Sequence, residues 1–233
     1  MSSLTPRERF DRSIKALFDE VLVLGSMVEQ AVLESIDVLA RRDLDAAHAL
    51  YRRDELINQK RYQIEKDVLT LIATQQPMAR DLRILSAVLE IITELERMGD
   101  YGKGIAKITI LMGDEPVDIP IADLRRMAEQ GLDMLHRALG AFIDRDDQTA
   151  RSIPKEDDQI DALYNHIYRE AIAQIVKEPA ANVDQGNYII WAAHNLERMA
   201  DRVTNICERI VFVVTGEMRE MDVTDDELYP RAA

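Results

Sequence analysis

Apolar positions recur along most of this chain in alternating steps of three and four. From Phe10 they run through Ile14, Leu17, Val21, Leu24, Val28 and Ala31, the spacing of a single buried stripe on a helix packed in a bundle. TPRE at Thr5–Glu8 predicts the start of that helix, with Thr5 as N-cap, Pro6 in the first turn and Glu8 closing a capping box. RRDLD at Arg41–Asp45 predicts its end near Arg42, and makes Asp43 the N-cap of a second helix. The second helix carries Leu50, Ile57, Ile64, Leu69 and Ile72 and breaks at Pro77 in QQPM. A third carries Leu82, Leu85, Leu89, Ile92 and Leu95 and reaches Leu111.

GDEPVDIP at Gly113–Pro120 then reads as a linker, and the pattern returns. Leu124, Met127, Gly131, Met134, Ala138 and Ala141 form another three–four seam. DRDD at Asp144–Asp147 repeats the boundary role of RRDLD, and Pro179 in EPAA takes the place of QQPM. DELINQKRYQI at Asp54–Ile64 resembles DDQIDALYNHI at Asp157–Ile167, an offset of 103 positions (54 to 157). LERMGD at Leu95–Asp100 resembles LERMAD at Leu196–Asp201, an offset of 101 (95 to 196). Repetition on this scale predicts the architecture: all-α, two tandem pseudo-symmetric three-helix bundles made of six long antiparallel helices. The first spans 5–112, the linker 113–120, the second 121–217, and an acidic tail follows over 218–233.

Composition agrees with that reading. Of 233 residues, 47% are hydrophobic and only 9 are Gly and 7 Pro, enough apolar side chain for a core with few loop formers. The formal net charge of −14 argues against a nucleic-acid surface, which needs clustered Lys and Arg, and suits cations or a basic patch on a partner. The single cysteine, Cys207, excludes an internal disulfide, and MSSLTPRERFDRS lacks the apolar core of a secretory signal. The most apolar stretch, IVFVVTG at 210–216, is far short of the roughly 20 residues of a membrane span. The expected setting is the cytoplasm, without membrane insertion.

Candidate chemistry lies in the repeated acids. Glu96 and Asp100, Glu197 and Asp201, and Asp157 and Asp161 are each spaced by four, which stacks like charges on one helix face. A bound cation or a basic neighbour must offset them. Four carboxylates meeting from adjacent helices would suit a hard cation such as Mg²⁺, Mn²⁺, Ca²⁺ or ferric iron, with Zn²⁺ a softer candidate. The plain alternative is a solvated acidic face, as at Glu90 and Glu94, with Arg97 and Arg198 neutralising it. Repetition in both halves favours the functional reading. The second half adds Asn205 and Glu208 where the first has Gly104 and Lys107, and Asp157 and Asp161 correspond to Asp54 and Asn58. The second site is therefore expected to bind cations more tightly. His194, three residues before Glu197, is a supporting or rim residue. Trp191, Met199 and Cys207 are expected in the core. Gly99, Gly102 and Gly104 within one helix point to close approach of a backbone or ligand, or to a flexible turn.

With these pieces together, the chain resembles the PhoU family of bacterial phosphate-transport accessory proteins. The resemblance rests on QQPMARDLRILSAVLEIITELERMGDYGKGIAKI, DDQIDALYNHIYRE and NLERMADRVTNICERIVFVVTGE, and covers roughly Arg9 to Glu217. It implies two similar three-helix bundles and, in some members, multinuclear metal clusters, iron foremost, on Glu96, Asp100, Asp157, Asp161, Glu197, Asp201 and Asp54. Asn58 departs from the strict motif by replacing an acid. The resemblance also implies a regulatory rather than catalytic role. The chain would be a homodimer that restrains phosphate uptake and the phosphate-starvation response through the phosphate ABC transporter ATPase subunit and the phosphate sensor histidine kinase. A rival reading is a ferritin-like carboxylate-bridged iron oxidase, but such sites use Glu-x-x-His from two helices, and no such motif occurs here.

Overall fold

The computed structural model describes residues 5–113 and 119–221, apart from the side chains of Ala180 and Ala181. The interior of the expected linker and most of the expected tail lie outside the described residues. Regular structure among the described residues is entirely helical: α1 (Pro6–Arg41), α2 (Leu44–Gln75), α3 (Arg80–Met112), α4 (Ile121–Asp144), α5 (Asp147–Ser152), a 3₁₀ turn (Ile153–Glu156), α6 (Asp157–Lys177) and α7 (Pro179–Thr215).

Local chemistry explains the boundaries. The Glu8 amide donates to Thr5 Oγ1 at 3.2 Å and the Thr5 amide donates to Glu8 Oε2 at 2.7 Å, so two otherwise unpaired donors are satisfied reciprocally. α1 and α4 both stop at an arginine in the left-handed region, Arg42 (φ 53°) and Arg145 (φ 57°). The next residue in each case, Asp43 or Asp146, caps the following helix: Asp43 accepts from the Ala46 amide, and Asp146 from the Gln148 and Thr149 amides. A side-chain oxygen there satisfies first-turn amides that have no partner within the helix. Duplicated boundaries thus have duplicated causes.

The middle helix of the second repeat departs from expectation. It opens as the short α5, passes through the 3₁₀ turn and resumes as α6. Pro154 is the cause, since it lacks an N–H and its ring crowds the carbonyl four residues back. Tyr51 occupies the matching place in the unbroken α2. The break puts Asp157 and Asp158 in the first turn of α6.

All seven seam positions of α1 from Phe10 to Ala31, and all six of α4 from Leu124 to Ala141, are buried. Elsewhere the stripe is imperfect: Leu69, Leu82, Leu111 and Trp191 are exposed, Trp191 at 48% against its expected place in the core. Met199 and Cys207 are buried as expected, and burial pushes the Cys207 thiol up to about 12, leaving it inert at neutral pH. Each repeat packs its helices around its third long helix, α3 or α7. These two also pack on each other, and α1 lies on α4, so one core runs through both bundles.

The α3–α7 seam is antiparallel and reciprocal. Asn205 Nδ2 donates to Glu94 Oε2 at 3.1 Å, while Asn195, the repeat counterpart of Glu94, lies over Gly104, the counterpart of Asn205. A Cβ on Gly104 would meet Asn195 Oδ1 at 2.8 Å, and one on Gly102 would touch the Ala31 backbone at 3.4 Å. The glycines of α3 therefore serve helix packing. Glu94 is not a solvated acid: it is buried and held by Arg97 at 2.7 Å and Arg202 at 3.4 Å as well as Asn205.

Candidate metal site

In the second repeat, α7 turns Glu197, Asp201 and Thr204 toward α6, which answers with Asp157, Asp158 and Asp161. Together they border a cavity of about 600 Å³, with Arg151, Pro154, Lys155 and Met221 at its edge. The four acids expected from sequence are therefore brought to one place. Asn205 and Glu208 are not. Asn205 lies eight residues past Glu197, roughly 80° round the helix, and faces Glu94 on α3 instead. Glu208 shares the face of Glu197 but sits roughly 16 Å along the axis, where its Oε1 accepts from the Met221 amide at 2.8 Å. Thr204 and Asp158 were missed by the sequence reading; Thr204 follows from the i, i+4, i+7 spacing of one helix face.

Glu197 is the most perturbed of these acids. Burial, then the nearby Asp201 and Asp161, push its carboxyl up to about 7, against the partial relief of Arg198 and Arg202. Its Oε2 is shielded from water and makes no hydrogen bond; His194 Nδ1 lies 3.1 Å away without the required alignment, on the exposed rim. Arg198 Nη1 pairs with Asp201 at 3.0 Å, the neutralising role expected of it. The same environment raises the Tyr164 hydroxyl, through burial and then Glu197.

The first repeat builds a different centre from the matching positions. Lys103 Nζ lies 2.7 Å from Asp54 Oδ2 and 3.4 Å from Asp100 Oδ1. Asn58 Nδ2 donates to the same Asp54 oxygen at 3.3 Å. Hydrogen bonding to Asp54 raises the Lys103 ammonium, keeping it charged. Lys107, which stands in the first repeat where Glu208 stands in the second, is exposed. Burial and then Asp100 raise the Glu96 carboxyl, with Arg61 opposing. Arg97 pairs with Glu94 rather than with Glu96 or Asp100. The adjoining cavity, lined by Asp54, Gly99 and Lys103 among apolar side chains, is about 240 Å³.

The two donor sets differ in fitness for a metal. Asp157, Asp161, Glu197 and Asp201 offer hard oxygens, and Glu197 Oε2 among them is shielded from water without a hydrogen bond, which suits a hard cation. They border the cavity rather than closing on a point: among the described residues no group of three or more His, Cys, Asp or Glu is drawn together tightly enough to hold a metal as it stands. The Asp54, Asn58, Glu96 and Asp100 set does not fit, because a lysine ammonium already lies against two of its acids. No helix among the described residues is long and apolar enough to cross a membrane.

Comparison with known proteins gives a consistent result. The PhoU domain model matches the chain twice, over residues 21–109 and 124–210. The chain is 33% identical over 221 residues to a Clostridium acetobutylicum protein called phosphate-specific transport system accessory protein PhoU homolog, spanning 94% of this chain and 99% of that one. A Caulobacter vibrioides protein of the same description is 34% identical over 209 residues, covering 89% and 90%. Among solved structures, the phosphate transport system regulatory protein PhoU from Streptococcus pneumoniae superposes with a TM-score of 0.83 at 31% identity, covering 90% of this chain and 99% of that one. PhoU from Pseudomonas aeruginosa gives 0.81 at 28%, covering 89% and 100%. Two family matches, one on each three-helix repeat, and relatives aligned along nearly their whole length place this chain in the PhoU family.

Proposed function

We propose that this chain is a cation-dependent regulatory adaptor of phosphate transport. It acts without catalysis, restraining phosphate uptake and the phosphate-starvation response by docking on the ATPase subunit of the phosphate ABC transporter and on the phosphate sensor histidine kinase. It works in the cytoplasm as a homodimer. The accessory role carried by the names of its relatives supports the transport assignment. The observation that carries the cation assignment is the second-repeat cavity, where Glu197 lies half-buried beside Asp201 and Asp161. Asp157, Asp161, Glu197 and Asp201 would hold the cation. When bound, it would supply the positive charge that lets those acids ionise together and locks α6 to α7. The family resemblance points to iron first; the all-oxygen donors also suit Mg²⁺, Mn²⁺ or Ca²⁺, and Zn²⁺ less well.

A pull-down from cells grown with and without phosphate tests this reading. The wild-type chain should retain the transporter ATPase and the sensor kinase, and a Glu197→Gln, Asp201→Asn double variant should lose both. Equal capture by the two would refute the cation-dependent adaptor. Oxygen uptake after ferrous loading separates it from an iron oxidase, for which sustained turnover would speak.

A further inference from the structure

The second repeat carries a run of aromatic rings that its packing does not call for. Tyr168 and Tyr164 on α6 have ring centroids 6.3 Å apart, and Tyr164 meets His194 of α7 at 6.0 Å. One turn before His194, Trp191 meets Tyr188 at 6.2 Å. All three separations lie in the range of interacting rings. The run crosses from α6 over the exposed face of α7, with Tyr168 43% and Trp191, the chain's only Trp, 48% exposed. We infer that this face binds a partner protein through an arginine-bearing basic segment laid along the α6–α7 groove. The inference rests on the adaptor reading and names the surface that the adaptor uses.

Comparison of the repeats separates this face from ordinary packing. Offsets of 103 on α6 and 101 on α7 put Arg61, Glu65 and Glu90 at the places of Tyr164, Tyr168 and Trp191. The first repeat builds the same bundle with charged side chains there, so the bundle itself does not need the rings. Contiguous exposed Trp and Tyr side chains are what recognition surfaces concentrate, because they bury a large area on binding for few frozen rotors.

Charge selects the occupant. At a net −14 the chain as a whole repels anionic lipid and nucleic acid and attracts basic segments. The groove repeats that preference locally, since the aromatic run adjoins the acidic cavity: His194 Nδ1 lies 3.1 Å from Glu197 Oε2. Five acids border the cavity against three cations, Arg151, Lys155 and Arg198, while Arg202 is held by Glu94. The balance stays negative with all three cations counted. Arginine suits both halves of the groove. Its planar guanidinium stacks on aromatic faces and pairs with carboxylates, whereas the compact, strongly hydrated ammonium of lysine gains less from a ring.

Binding of fluorescein-labelled nona-arginine to the full chain, followed by anisotropy at fixed ionic strength, tests the assignment. The double variant Tyr168→Glu, Trp191→Glu gives the second repeat the residues that the first repeat holds. It adds negative charge, so attraction by charge alone would tighten binding, whereas loss of the rings should weaken it about tenfold. Nona-lysine should bind wild type less tightly than nona-arginine and should not be weakened by the same substitutions. Tyr62→Glu, at a ring of the first repeat that is 60% exposed, should weaken neither peptide. Tyr168→Phe with Trp191→Phe, which keeps the rings, should retain arginine binding. Nona-arginine binding that the glutamate variant leaves unchanged or tightens would overturn the inference, as would ring-dependent capture of phosphatidylglycerol vesicles. Should the glutamate variant melt early, Tyr168→Gln with Trp191→Gln decides the same question. In a pull-down from cells, the glutamate variant should lose at least one transport partner that wild type retains, and retention of all of them would also overturn the inference. A wild type that captures no partner defeats the adaptor reading, and the peptide series still decides whether this face reads arginine.

Discussion

Glu197→Gln probes directly the strain of holding an acid in the second-repeat cavity. The Glu197 carboxyl is raised from 4.5 to about 7, chiefly by burial and then by Asp201. At ~1.4 kcal/mol per pH unit, that shift bounds the cost of ionising it in the folded chain at about 3 kcal/mol. The side chain remains 20% exposed beside an open cavity, and solvent screening brings the expected effect to about 1–2 kcal/mol. Because the folded pKa lies above the unfolded one, the folded chain binds more protons than the unfolded chain between pH 4.5 and about 7. Stability contributed by this group is therefore complete below 4.5, falls as pH rises through that window, and levels off above it. Glutamine is neutral throughout and escapes the loss. Urea unfolding of both proteins in chelator, from about pH 5 to pH 8, should show the variant gaining on wild type by about 1–2 kcal/mol across the range. Saturating Mn²⁺ should reverse the order, since only wild type gains binding energy in the folded state. A stability difference that does not change with pH would refute the reasoning.

Other consequences are equally accessible. Asp201→Ala should weaken Mn²⁺ binding by about 10- to 100-fold while Asp100→Ala changes it little, as read by calorimetric titration; equal losses would make the two repeats equivalent. Glu94→Ala leaves Arg202 and Asn205 facing a vacated acid at the α3–α7 seam, and should cost about 2–4 kcal/mol in urea unfolding without altering metal affinity. Gly102→Val presses a branched side chain onto the Ala31 backbone, and should lower stability by about 1–3 kcal/mol, measured as a fall in the thermal midpoint.

Much of this molecule is legible one helix at a time. The α1 and α4 stripes are buried as the spacing requires, and Thr5, Asp43 and Pro179 stand at helix starts because capping and proline geometry involve only residues within a turn of each other. That Asp157, Asp161, Glu197 and Asp201 meet at one cavity was also readable in advance, since four-residue spacing puts each pair on a common helix face. Periodicity failed where the answer depends on what lies opposite. Trp191 has an apolar ring that stays 48% exposed among the described residues, and Glu94 has the look of a surface acid until α7 brings Arg202 and Asn205 against it.

The same limit governs the site. Helical phase alone could have moved the choice from Asn205 to Thr204, but nothing along the chain says that Lys103 rather than Lys107 reaches Asp54, forty-nine residues away on another helix. Local sequence determined the elements, their caps and their duplication, because those follow from contacts within a few residues. The tertiary structure decided which cation stands against which acid, Lys103 on Asp54 and Arg202 on Glu94, because electrostatic partnership depends on distance in space and on the water excluded between helices.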